Sequence, residues 1–201
     1  MRLGTTQILR NASFTLAPGE SVALFGPNGS GKTTLLRLIA TLLKPTGGSA
    51  QVLGADLAQA ARINVRSHIG YVGHEPALYP EMTLFENTDF AARLSGKTSQ
   101  EAMRALAAVG LDGAAERRAA QCSHGMRRRA EFARVLLSPP TLLLLDEPHS
   151  ALDADAAALV NEMALQVTER AGGVVIASHD RERVHEMTNR TVELSGGTLV
   201  S

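Results

Sequence analysis

Only one cysteine, Cys122, occurs in the 201 residues, and tryptophan is absent. A lone thiol excludes an internal disulfide framework and suits a reducing compartment such as the cytoplasm. Aromatic residues make up 3% of the chain, which argues against the stacking platforms that hold single-stranded nucleic acid. Net charge is lacking too. Twenty basic and twenty acidic residues cancel, so no overall field draws the protein to nucleic acid or anionic lipid, and no nucleic-acid partner is expected. No run approaches the roughly 18 apolar residues that a membrane span needs, and "MRLGTTQILR" lacks the apolar core of a secretion signal. Internal repeats and low-complexity linkers are missing as well.

What is present is enough apolar content, 44%, for one compact domain that buries roughly 70% of its unfolded surface. "SVALF" (21–25), "TLLLLD" (141–146) and "GVVIAS" (173–178) have the composition of parallel strands buried on both faces. Each leads into a helical pattern. Leu35, Leu36, Leu38, Ile39, Leu42 and Leu43 recur at helical spacing, which predicts a helix that starts near Lys32 and runs until "KPTGG" stops it. The closing "TVELSGGTLV" reads as a hairpin turned at Gly196 and Gly197. Between about residues 76 and 131 the texture is alanine-rich, with "FENTDFAARL" and "QEAMRALAAVG" as helices. The expected architecture is therefore an α/β core from residues 1–75 and 132–201, with a mostly parallel sheet and a helical subdomain inserted at 76–131.

"GPNGSGKTT" at 26–34 satisfies the G-x-x-x-x-G-K-[ST] pattern after a strand and before a helix. A triphosphate needs many donors at close range. In the nucleotide-binding stretch Gly26, Pro27, Asn28, Gly29, Ser30 and Gly31, the glycines let the backbone of residues 29–33 curl so that successive N–H groups point inward. The helix that follows adds its positive dipole end. Lys32 reaches the β and γ phosphates, the Thr33 hydroxyl ligates Mg²⁺, and Thr34 completes the nucleotide-binding stretch. The second aliphatic strand delivers Asp146 and Glu147 at its carboxyl end, where open α/β sheets bind ligands. Asp146 suits the metal's water shell and Glu147 suits polarising the attacking water, although an acidic pair there can also cap a helix. His179 ends the third strand, where a neutral imidazole contacts the γ phosphate or the water, or is structural.

"QCSHGMRRRAEFAR" (121–134) poses a separate problem, because Cys122, His124 and Met126 alternate as copper or iron ligands on one face of a strand would. The arginine-rich run behind them has helical spacing, and on a helix alternate residues do not converge on one ion. Residues 123–126 then form a helix start with free N–H groups, which binds anions. Arg127, Arg128 and Arg129 serve either a charged seam or a solvated helix face.

Together these pieces resemble the ATP-binding cassette of ABC transporters, across essentially the whole length and in family order. "GPNGSGKTT" matches Walker A, "SHGMRRRAEFAR" the signature and its helix, "LLLLDEP" Walker B, "SALD" the D-loop, and Ser178–His179 the switch histidine. The resemblance implies a P-loop NTPase core of RecA-like type and ATP hydrolysis with ATP and Mg²⁺ as cofactors. It also implies two composite sites in a homodimer, in which Ser123, Gly125 and Asp153 approach the partner's nucleotide. Transmembrane permease subunits would be the other partners, at the cytoplasmic face of the inner membrane, with "EPALYPEMTLFEN" in the groove that receives them.

The chain departs from the family pattern in three places. The family's adenine-stacking aromatic has Leu3 near its place and the chain starts late relative to the family's leading strand, so adenine binding is expected to be weaker by roughly tenfold or more. His74 stands where the Q-loop glutamine contacts metal and water, and imidazole imitates only part of that. In the signature, His124 replaces a glycine and Met126 a glutamine. "GHEPAL" and a cassette near 200 residues resemble the ATP-binding subunits of haem exporters in cytochrome c maturation. Other readings are an exporter of a drug, lipid or peptide, a soluble cassette ATPase in iron–sulfur cluster assembly, and a small-molecule kinase. The kinase reading leaves the signature unexplained.

Overall fold

A computed structural model describes residues 1–150, 152–185 and 187–200. Ala151, inside the "SALD" stretch, lies outside the described residues. The chain opens with a short antiparallel hairpin, β1 (Arg2–Leu3) with β2 (Thr6–Gln7), and then enters β3 (Ser21–Phe25), buried along its whole length. After the loop at 26–31 comes α1 (Lys32–Ile39). A second hairpin, β4 (Gln51–Val52) with β5 (Ala55–Asp56), precedes a 3-10 stretch and β6 (Ile69–Val72). Three helices follow, α2 (Leu84–Leu94), α3 (Ser99–Ala108) and α4 (His124–Leu137). The remainder alternates: β7 (Leu142–Asp146), α5 (Ala154–Glu169), β8 (Gly173–Ala177), α6 (Arg181–His185), and the hairpin β9 (Arg190–Ser195) with β10 (Thr198–Val200).

The chain divides into two units: Met1–Tyr71, Pro140–Pro148 and Ala164–Ser201 form the first, Val72–Pro139 and His149–Met163 the second. The sheet runs in the order β10-β9-β3-β8-β7-β6. β3 pairs in parallel with both β8 and β9, β7 pairs in parallel with β8, and β10 is an antiparallel edge strand. The three expected strands are thus adjacent and parallel, so the segments leaving β3, β7 and β8 emerge together at the carboxyl end of the strands. Leu24, Leu36, Leu144 and Val175 are fully buried in the first unit's core. Burying each such leucine contributes about 1.5–3 kcal/mol, which holds the strand ends that carry the chemistry in register.

One expectation is corrected here. The helix after β3 ends at Ile39 instead of running to Leu43, because Thr41 adopts the left-handed conformation (φ 61°) and reverses the chain. The amides of Thr41 and Leu42 turn back to the carbonyls of Leu38 and Arg37, at 3.0 and 2.9 Å, a Schellman-type end. Arg66 holds the reversal by donating to the Thr41 hydroxyl (2.9 Å) and carbonyl (2.8 Å). Leucine periodicity alone cannot report such an end.

In the second unit, α2, α3 and α4 pack on one another. Thr83 with Glu86 and Thr98 with Glu101 form capping boxes that start α2 and α3. Phe132 and Arg128 are among its fully buried side chains.

Candidate functional site: a phosphate loop and a helix tip

The phosphate loop is built from backbone conformations that need glycine. Gly26 has a φ of 153°, and a Cβ there would meet the Leu194 carbonyl oxygen and lie 2.7 Å from the Ser30 hydroxyl. Gly31, at φ 108°, packs where a Cβ would sit 3.0 Å from both Ile8 and Leu9. With these two fixed, the loop folds around the Lys32 ammonium, which donates to the Gly26 carbonyl at 2.6 Å and to the Pro27 carbonyl at 3.3 Å. Lys32 is only 7% exposed, so its charge is held inside the loop. The Ser30 hydroxyl oxygen is buried with no hydrogen-bond partner among the described residues. A glycine cradle, an orphaned hydroxyl and an inward lysine fit a polyphosphate. Asn28, Gly29, Thr33 and Thr34 complete the loop and the first turn of α1.

The same unit carries the acidic pair. Asp146 closes β7 and is 1% exposed. Glu147 follows with a φ of 51°, unusual for a residue with a side chain, and its amide donates to the Ala177 carbonyl of β8 at 2.8 Å. A left-handed non-glycine residue costs about 1–3 kcal/mol, and such strain persists where the surroundings over-determine it. The conformation aims the carboxylate at the end of β8: Glu147 Oε2 lies 2.9 Å from His179 Nδ1 and 3.4 Å from Ser178 Oγ. A carboxylate only accepts, so Nδ1 carries the hydrogen and Nε2 of a neutral ring is left as an acceptor. Thr33 and Asp146 offer the oxygen donors that a hard divalent cation prefers.

The second unit places the remaining candidates. Ser123 is the N-cap of α4, and its Oγ accepts from the Met126 amide at 3.2 Å. That leaves the hydroxyl hydrogen free to donate outward, beside first-turn amides that lack intrahelical acceptors. Ser123, Gly125 and Asp153 line one cavity of about 360 Å³ with His124, Arg129 and Leu152. Asp153 also accepts from the Ala156 amide at 2.9 Å, so its carboxylate starts α5. His74 is exposed on the irregular segment after β6, and its carbonyl accepts from Arg128 at 2.6 Å.

Cys122, His124 and Met126 face different partners. The Cys122 thiol donates to the Arg118 carbonyl at 3.3 Å, and Met126 Sδ lies 3.9 Å from Arg117. Burial, helped by Arg128, Arg127 and His74 against the opposing charge of Glu75, pushes the His124 imidazolium below its ordinary value of 6.5. Its Nδ1 is buried with no hydrogen-bond partner among the described residues. The folded protein therefore takes up this proton less readily than the unfolded chain. Stability is unaffected above the ordinary value and falls as pH drops through it. His124→Gln is expected to reduce the loss of melting temperature between pH ~7.5 and ~5.5; an unaltered slope would remove His124 from this acid sensitivity.

Sequence reasoning missed three groups. Arg128 is fully buried, not part of a charged seam or solvated face, and pairs with buried Glu131 at 3.2 Å. Burial pushes the Glu131 carboxyl up, against the pull of the Ala77 amide and Arg128. His149, 7% exposed, contacts Asn161 through Nε2 at 3.2 Å. A three-residue spacing between Arg128 and Glu131 was the only available signal.

Residues 9–150 match the ABC transporter family. The chain belongs to the ABC transporter family. It is an ATP-binding subunit of that family and an ATPase, as the motif resemblance implied. The cytochrome c biogenesis ATP-binding export protein CcmA 2 of Cupriavidus metallidurans is 37% identical over 183 residues, covering 90% of this chain and 86% of that protein. The CcmA protein of Rhodospirillum rubrum is 39% identical, with 98% and 80% covered. The sulfate/thiosulfate import ATP-binding protein CysA of Bordetella pertussis is 38% identical over 98% of this chain, which spans only 58% of that protein's length. Among solved structures, the dimeric post-hydrolysis state of the ATP-binding cassette MJ0796 bound to ADP and Pi superimposes with a TM-score of 0.87 at 27% identity. That match covers 100% of this chain and 93% of the other. The cassette fold with a mostly parallel sheet agrees with the sequence expectation.

Proposed function

We propose that this subunit dimerises around two Mg·ATP molecules and drives a separate membrane permease, with haem export for cytochrome c maturation as the favoured transport process. The observation that carries the hydrolytic part is the Glu147–His179 contact of 2.9 Å, in the unit that holds the phosphate loop. Lys32, with the amides of the loop, binds the β and γ phosphates. Glu147 takes a proton from the attacking water, and His179 Nε2 accepts the water's second hydrogen or, once protonated, donates to the γ phosphate. Thr33 and Asp146 would hold Mg²⁺, which would supply charge neutralisation at the phosphates. His74 orients water in place of glutamine. Ser123, through its outward hydroxyl, seals the partner subunit's γ phosphate, with Gly125 and Asp153 beside it.

No helix among the described residues is long and apolar enough to cross a membrane. Tyr79, in the stretch expected to receive the permease, and Phe90, three residues beyond that stretch, are 56% and 43% exposed and meet edge to face at 5.7 Å. That exposed pair supports attachment to permease subunits on the cytoplasmic face. Haem export is favoured by the CcmA relatives, which the chain matches over most of their length, and by "GHEPAL". Other export substrates, importer activity and iron–sulfur assembly remain the competing readings, since import ATPases match at similar identity.

The test has two stages. Purified protein is expected to hydrolyse Mg·ATP, and co-expression with the membrane subunits encoded beside it is expected to recover a complex. Deleting the gene is then expected to abolish covalent haem on c-type cytochromes, read by haem staining. Normal cytochromes with an intact ATPase would discard haem export and keep the ATPase.

A further inference from the structure

Four backbone groups of the irregular segment 73–77 are satisfied by side chains of α4. Arg128 donates to the Gly73 carbonyl and, at 2.6 Å, to the His74 carbonyl. Glu131 Oε1 accepts from the Ala77 amide at 2.8 Å, and Arg134 donates to the Ala77 carbonyl at 2.6 Å. The three side chains follow at intervals of three residues, so they share one side of the helix. Arg128 is 0% exposed and bonded to Glu131, itself 5% exposed.

A buried ion pair is a poor way to gain stability, because well-packed apolar groups of similar volume usually do as well. What an apolar side chain cannot do is orient two successive carbonyls. A guanidinium can, through its rigid planar fork. The gripped segment carries His74, and the gripping helix begins at Ser123, about 7.5 Å along its axis from Arg128. The irregular segment is thereby bonded to the helix whose N-cap is Ser123.

We propose that Arg128 is a positioning residue that locks the His74 segment to α4, so that His74 and Ser123 move as one piece through the ATP cycle. The proposal rests on the reading above, in which His74 serves the nucleotide of its own chain and Ser123 that of the partner. Arg134 and Glu131 hold the far end of the same grip.

Spin labels on Glu75→Cys and Gln121→Cys in full-length Cys122→Ser protein report the grip directly. A narrow distance distribution is expected with Arg128 present, a broad one in Arg128→Met, and an intermediate one in Arg128→Lys, which supplies a point charge without the fork. In a Glu147→Gln background, Arg128→Met should raise the ATP concentration needed for dimerisation by about tenfold or more while monomer affinity for ATP stays within about threefold. A purely structural role would lower the melting temperature and leave both readouts of the folded protein unchanged, and that result overturns the proposal. Should Arg128→Met fail to fold, Arg134→Met decides: it leaves the buried pair intact, and an unbroadened distribution would reject the grip. If the Glu147→Gln parent with Arg128 intact does not dimerise, the composite-site reading fails, and the spin-label widths still decide the grip.

Discussion

Glu147→Gln is expected to lower ATP turnover by about 10²- to 10⁴-fold with ATP binding within about threefold of the parent. The amide keeps the shape of the side chain but cannot take a proton from water. It can also still meet His179 Nδ1 through its oxygen, so the 2.9 Å contact and the backbone at φ 51° should survive. This separates chemistry from binding: the phosphate loop, Lys32 included, is untouched by the change. Single-turnover hydrolysis and fluorescent-nucleotide titration measure the two quantities independently. Turnover within about threefold of the parent would take Glu147 out of the base role.

Ser123→Arg should eliminate ATP-dependent dimerisation and leave ATP binding by the monomer intact. Arginine at the N-cap removes the acceptor for the Met126 amide, at a cost of about 0.5–2 kcal/mol to the helix. It also places a long cation in the cavity of about 360 Å³ that Ser123 shares with Gly125 and Asp153. A smaller change, Ser123→Ala, should weaken the dimer without abolishing it, because the first-turn amides and their dipole remain. Light scattering in the Glu147→Gln background distinguishes the three proteins. An unchanged dimer in Ser123→Arg would remove the helix tip from the partner's site.

The parts of this molecule that could be read from the sequence are those whose determinants are local. β3, β7 and β8 announced themselves as aliphatic runs, because a strand covered on both faces needs no alternation. The glycine-rich loop and the place of the acidic pair were legible for the same reason: nine consecutive residues spell one turn, and Asp146 and Glu147 sit where one strand ends. The start of α4 within residues 123–126 followed from the helical spacing of the arginine-rich run behind them. What failed depended on distant partners. The early end of α1 is held by Arg66, 25 positions on, and no leucine pattern encodes that contact. Three consecutive arginines looked equivalent, yet the helix turns Arg128 inward to carbonyls 54 and 55 residues away in sequence. His149 meets Asn161 twelve residues later, across the start of α5, and nothing around it in sequence marks it as buried.

The backbone of Glu147 has a consequence for how this enzyme responds to random mutation. At a φ of 51°, glycine is the residue the main chain itself would select. On the reading in which Glu147 is the base, Glu147→Gly relaxes the main chain and removes the chemistry together. A screen that ranks variants by thermal tolerance alone is then expected to retain inactive protein at this position.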